Sequence, residues 1–239
     1  MLDDVRVVAF DIFGTVVDWH TGITSQVGEV FARLRIDLDP AAFADAWRDR
    51  YLPAMARVNN AEREWVYLDT LHRESLDALL SEHRVADAVS ESDRAHLVRA
   101  WHRLPAWPDS AELLTRLRSR YLVVALSNGG FALLVNLVKH AGLTFDAIAS
   151  AELAGRYKPD PAPYQTTARL LDVAPHEVLM VAAHSWDLDG ARAAGLRTAF
   201  LERPAEKGPD READRAADAV CDLAATSASD LAARLGCGN

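Results

Sequence analysis

The sequence predicts a doubly wound α/β fold, a Rossmann-like parallel sheet with helices on both faces, and three observations carry that expectation. Short continuous apolar runs recur along the chain, of the length expected for strands covered on both sides. Stretches with helical spacing fall between them. Polar residues able to do chemistry follow several of the runs, where open parallel sheets bind ligands, beyond the carboxyl ends of the strands.

In chain order, Val5–Phe10 reads as the first strand, Tyr121–Leu126 as the second, Asp146–Ser150 as a shorter third, Val178–Ala183 as the fourth and Thr198–Leu201 as the fifth. Helical patterns occupy about 109–119, 131–141, 161–172 and 188–194, and a last helix is expected from Ser227 to Leu235. The stretch 18–102 breaks this rhythm. It lacks β-branched runs and reads as amphipathic helices punctuated by Pro40 and Pro53, the second inside or ending a helix. An all-helical insertion of roughly 85 residues after the first strand is far longer than an ordinary crossover. We expect it to be a cap over the sheet's carboxyl edge, with 1–17 and 103–239 forming the core.

Composition narrows the function. Half of the 239 residues are hydrophobic and 26% are charged, which supports a packed core. A net charge of −9 argues against nucleic acid or an anionic membrane surface as partner. Cys221 and Cys237 suggest neither a zinc cluster nor a disulfide framework. The acidic start, Leu2-Asp3-Asp4, is unlike a signal peptide, and the longest apolar stretch, 121–138, is interrupted by Ser127-Asn128-Gly129-Gly130. A cytoplasmic setting is the expectation.

The strand ends supply the chemistry. Asp11-Ile12-Phe13-Gly14-Thr15 follows the first, Ser127-Asn128-Gly129 the second, and His184-Ser185-Trp186-Asp187 the fourth, while Tyr157-Lys158-Pro159-Asp160 precedes the fourth. Two carboxylates, a lysine, small hydroxyls and an amide would meet in one crevice. In that order and spacing the motifs resemble the haloacid dehalogenase-like superfamily over nearly the whole chain. Most of that superfamily are magnesium-dependent phosphatases, which need an acid two residues after the nucleophile and usually an acidic metal ligand five residues before the position of Asp187. Here those positions are Phe13 and Ala182. A phosphate ester's leaving alkoxide needs a proton that Phe13 cannot give; a halide needs none. The absences resemble the L-2-haloacid dehalogenase branch, which uses no metal or other cofactor. Arg48 matches its halide-contacting arginine and Tyr164 its tyrosine near the nucleophile.

The resemblance implies small 2-haloalkanoic acids as substrates, with halide as a product. Asp11 attacks C2 to form an ester. Arg48 and Asn128 would stabilise the departing halide. Ser127 and backbone N–H groups after Asp11 would hold the substrate carboxylate. Lys158 would keep Asp11 ionised, Thr15 would bond to Asp11 or Lys158, and Asp187 would orient water onto the ester. Attack of that water at the carboxyl carbon leaves C2 inverted. His184 departs from the family pattern; it would share the base role or tighten the halide pocket. Ile12, Phe13 and Trp186 are candidates for the pocket wall. A homodimer and the preference for the L-enantiomer come from the resemblance alone, and the preferred halogen stays open. Plainer readings exist: Arg48 covering apolar surface with its stem, Tyr164 as packing, Ser127-Asn128-Gly129 as a mere turn. So do two other functions, a magnesium-dependent phosphatase of a small phosphomonoester and a binding module without catalysis.

Overall fold

A computed structural model of the chain describes residues 2–238. The first strand, β1 (Val7–Phe10), is followed by a wholly helical stretch: α1 (Trp19–Leu34), α2 (Pro40–Asp49), α3 (Tyr51–Asn59), α4 (Leu68–Glu82) and α5 (Glu91–Ala100). The chain then returns through α6 (Ser110–Leu117) to β2 (Leu122–Ser127), α7 (Phe131–His140), β3 (Ala147–Ser150), α8 (Pro161–Leu170) and β4 (Val178–Ala182). It ends with α9 (Ser185–Ala193), β5 (Arg197–Leu201), β6 (Leu223–Ala225) and α10 (Ala228–Arg234).

Among the described residues the strands form one parallel sheet in the order β3-β2-β1-β4-β5-β6. β1 lies between β2 and β4, so the direction of winding reverses beside it and opens a crevice at its carboxyl end. Strand side chains alternate between the faces. Val8, Phe10, Val123, Ala125, Leu179 and Val181 pack with leucines of α6 and α7 and with the insertion. Val7, Ala9, Val124, Leu126, Met180 and Ala182 pack with Tyr164 and Ala168 of α8 and Leu188 and Ala191 of α9. Burial on both faces is why the strands read as continuous apolar runs.

The helix starts follow capping chemistry. Asp18, Asp39, Ser90, Asp160 and Ser227 each accept a backbone N–H of the helix they precede. Pro40 and Pro161 stand at first helical positions, where the missing N–H is no loss. Pro53 lies inside a helix, one of the two expected places: it stands in the first turn of α3, whose amides have no partner within the helix.

Two expectations need correction. The first strand begins at Val7 rather than Val5. The charged, alanine-rich tail contains β6, a three-residue edge strand of Leu and Ala with no β-branched residue to announce it. Among the described residues no helix is long and apolar enough to cross a membrane.

Candidate active site

Asp11 is the first residue beyond β1. Its N–H continues the sheet by donating to the Val181 carbonyl at 2.9 Å, which aims its side chain into the crevice. Oδ1 accepts from Lys158 Nζ at 2.9 Å, and Oδ2 accepts from the Thr15 hydroxyl at 3.0 Å. Thr15 Oγ1 in turn accepts the Ala183 N–H at 3.0 Å, so the hydroxyl is fixed from both sides. Burial pushes the Asp11 carboxyl up, but the Lys158 ammonium and the His184 ring outweigh it and hold the group well below the ordinary carboxylate range.

Lys158 is fully engaged. Nζ donates to Asp11, to the Leu126 carbonyl at 3.0 Å and to Asp187 Oδ2 at 2.5 Å, three acceptors for three N–H bonds. Burial disfavours its charge, yet the two carboxylates prevail and raise its pKa. Its backbone is gripped by Asn128, whose Oδ1 accepts the Lys158 N–H at 2.7 Å and whose Nδ2 donates to the Lys158 carbonyl at 3.3 Å. The Asn128 amide therefore positions Lys158 and keeps one N–H for any other partner. Ser127 is buried, and its Oγ accepts the Gly129 N–H at 3.3 Å.

Asp187 meets the Lys158 ammonium. Both oxygens are held, Oδ2 by Lys158 and Oδ1 by the Tyr164 hydroxyl at 2.6 Å, and the residue is wholly buried. It anchors Lys158. Tyr164 reaches Asp187, and the approach depends on Gly190, one turn further along α9. A Cβ there would lie 2.6 Å from Pro159 Cβ and 2.8 Å from both the Pro159 carbonyl and the Tyr164 hydroxyl. Gly190→Ala should therefore cost about 1–3 kcal/mol of stability, measured by urea denaturation, because a backbone segment has to move.

His184 stands on the other side of Asp11. Nδ1 is 3.2 Å from Asp11 Oδ2, and Nε2 is 3.2 Å from Glu206 Oε1. Burial opposes the charged ring, but Glu206 and Asp11 overcome it and push its pKa up to about 9. Glu206, 2% exposed, also accepts the Trp19 indole N–H at 2.5 Å. Burial raises its carboxyl, and His184 and Arg48 bring it down to about 2. The Glu206 side chain lies against Gly14, at φ +85°, where a Cβ would come within 2.6 Å of the carboxylate. Sequence reasoning overlooked Glu206 because it sits in a charged turn of the tail. The signal was present: it follows the fifth strand as His184 follows the fourth.

Arg48 of α2 comes to the same place. Its guanidinium lies 4.2 Å from the Tyr51 ring centre and 5.3 Å from that of Trp19, and Nη1 is buried without a hydrogen-bond partner. A cavity of about 210 Å³ is lined by Arg48, Trp19, Tyr51, His184, Trp186 and Glu206. A second, of about 480 Å³, lies along Lys158, Pro159, Met55 and Asn59. Leu52 and Trp186 border both, which makes Trp186 a wall between them. Phe13 is buried and meets Tyr51 and Trp101 edge-on at 6.5 and 5.9 Å, while Ile12 is buried in the core behind the turn. The larger groove of about 600 Å³ beside His20 and Arg215 touches none of Asp11, Lys158, His184 and Arg48. Arg211 ties the loop carrying Glu206 to α2 through Asp49 at 2.8 Å and Asp45 at 3.3 Å.

The site thus gathers a buried, ionised Asp11, a Lys158 with all three N–H bonds engaged, and an Arg48 whose Nη1 has no partner. The haloacid dehalogenase-like hydrolase family matches residues 5–195. (S)-2-haloacid dehalogenase 4A of Burkholderia cepacia is 33% identical over 206 residues, 85% of each chain. The defluorinating L-2-haloacid dehalogenase Rha0230 superposes with a TM-score of 0.93 at 45% identity, over 97% of this chain and 95% of that one. The L-2-haloacid dehalogenase PA0810 does so with 0.91 at 43%, over 97% and 99%. With Asp11, Lys158 and an apolar residue 13 in the arrangement just described, this chain belongs to the haloacid dehalogenase-like hydrolases and, within them, to the L-2-haloacid dehalogenase branch.

Proposed function

We propose that the protein hydrolyses small 2-haloalkanoic acids to 2-hydroxy acids through an ester on Asp11. The observation that carries this reading is the pairing of an ionised, buried Asp11 with an apolar ring at residue 13. The carboxylate can attack, and no acid stands two residues on to protonate what leaves, so the leaving group has to be stable as an anion. The phosphatase alternative gains nothing, since residue 182 is an alanine buried in the sheet.

In this reading Asp11 attacks C2 in line with the carbon–halogen bond. Arg48, with the free N–H of Asn128, meets the departing halide. Ser127 and the N–H groups after Asp11 take the substrate carboxylate. Lys158 holds the nucleophile ionised, Thr15 fixes Oδ2, and Asp187 with Tyr164 holds Lys158. His184 takes a proton from the water that cleaves the ester. The insertion at 18–102 acts as a cap that brings Arg48 over the nucleophile, with Trp186, Phe13 and Ile12 as walls. A cytoplasmic homodimer completes the proposal.

The test is a panel of (S)- and (R)-2-chloropropionate, fluoroacetate and simple phosphomonoesters, assayed with EDTA and with Mg²⁺. Halide should be released from the (S)-acid at the same rate under both conditions. After a single turnover in ¹⁸O-water the label should sit in Asp11. Phosphate release that stops with EDTA and returns with Mg²⁺ would overturn the reading. Fluoroacetate belongs in the panel because one close neighbour in structure is a defluorinating enzyme.

A further inference from the structure

His184 cannot serve as a base in the resting enzyme as the structure presents it. A ring between two carboxylates, each at 3.2 Å, donates both N–H bonds and has no lone pair for water. Three acidic and three basic side chains face one another here: Asp11 from the β1 turn, Asp187 from α9 and Glu206 from the loop after β5, against Lys158, His184 and Arg48 of α2. At the cavity rim Lys207 pairs with Asp214, and Arg211 with Asp49. Of the two carboxylates that hold His184, the reaction consumes one.

We infer that ester formation at Asp11 is the switch that turns His184 into the base for the second half of the reaction, and that Glu206 is the positioning residue that keeps its ring aimed. The inference rests on the dehalogenation reading. When Asp11 bonds to C2 and the carbon–halogen pair leaves with the halide, the negative charge facing Nδ1 disappears. The neutral ester oxygen that remains holds the Nδ1 proton far more weakly than the carboxylate did, and the proton passes to solvent. Glu206 still accepts from Nε2–H, which fixes the tautomer and leaves the Nδ1 lone pair on the Asp11 side, beside the ester, as the carboxylate of a hydrolytic triad does for its histidine. A water there gives one proton to Nδ1 and its oxygen to the carbonyl carbon. On collapse the other water proton goes to the departing alkoxide, giving the product hydroxyl. Asp11 regains its carboxylate with one oxygen from water, and His184 regains the resting charge. One proton is released per turnover, and it is released with the halide rather than with the hydroxy acid.

The timing of that proton is the experiment. The native enzyme is mixed rapidly with (S)-2-chloropropionate in weak buffer containing a pH indicator, while halide and hydroxy acid are followed by quenching. One proton per site is expected in step with the first halide, ahead of the hydroxy acid. In Glu206→Gln the first halide should appear within about threefold of the native rate, while ester hydrolysis slows about 10²-fold and the Asp11 adduct accumulates in the intact mass. In His184→Gln the proton should arrive with the hydroxy acid. A proton that comes only with product in the native enzyme overturns the inference and needs no variant to show it. So does ester hydrolysis at native rate in Glu206→Gln. If no haloacid releases halide at all, it is the dehalogenation reading that fails.

Discussion

Asp11→Asn should lower halide release from (S)-2-chloropropionate by about 10⁴-fold or more. The amide has no charge with which to attack C2, and no other carboxylate can take its place: Asp187 is enclosed by Lys158 and Tyr164, and Glu206 is bound to His184 and Trp19. The variant should still fold, because Lys158 keeps Asp187 and His184 keeps Glu206 as partners. A halide assay reads the rate, and intact mass after incubation with substrate should show no adduct. Full, lasting turnover without conversion of the amide back to the acid would remove the nucleophile from the account.

Lys158→Met should produce the largest loss of stability, about 3–5 kcal/mol by urea denaturation at neutral pH. It leaves Asp11 and Asp187 buried without the ammonium that lies between them. The sign of the pH dependence follows from the shifts. In the native protein the Asp11 carboxyl is depressed, so its stabilising contribution is present above the unfolded value near 3.8 and is lost only as pH falls through a lower folded value. The Lys158 pKa is raised, so its contribution is complete below the unfolded value near 10.5 and is lost as pH rises through a higher one. Across the neutral range both are present. In the variant the stranded carboxylates take up protons more readily, so its deficit should shrink as pH falls toward 4–5. A deficit constant from pH 5 to 8 would mean that the loss is one of packing.

Much of the fold was legible because both faces of the sheet are covered, which makes β1, β2 and β4 unbroken apolar runs. β6 was not, since an edge strand of three residues carries too little pattern to stand out in an alanine-rich tail. In the site, residues at strand ends were readable from position alone: Asp11 and His184 each follow a strand, and Ser127 closes one. Partner choice was not readable. That the Asn128 amide grips the Lys158 backbone, and that the Tyr164 hydroxyl meets Asp187, depends on the path of the loop before α8. Glu206 escaped because a charged residue between alanine and lysine looks solvated. It is buried only because Trp19 and His184, distant in sequence, close over it.

The Arg211 clasp between the Glu206 loop and α2 differs in kind from the ion pairs it encloses. Arg211 and Asp49 are partly in water, and such pairs contribute only about 0–1 kcal/mol each and weaken with salt. Breathing of α2, and of Arg48 with it, is thus restrained by a latch that ionic strength can loosen, while the buried lysine and its two acids are shielded from the same ions. Raising salt should act on how quickly the chamber fills and empties and leave the bond-making step alone.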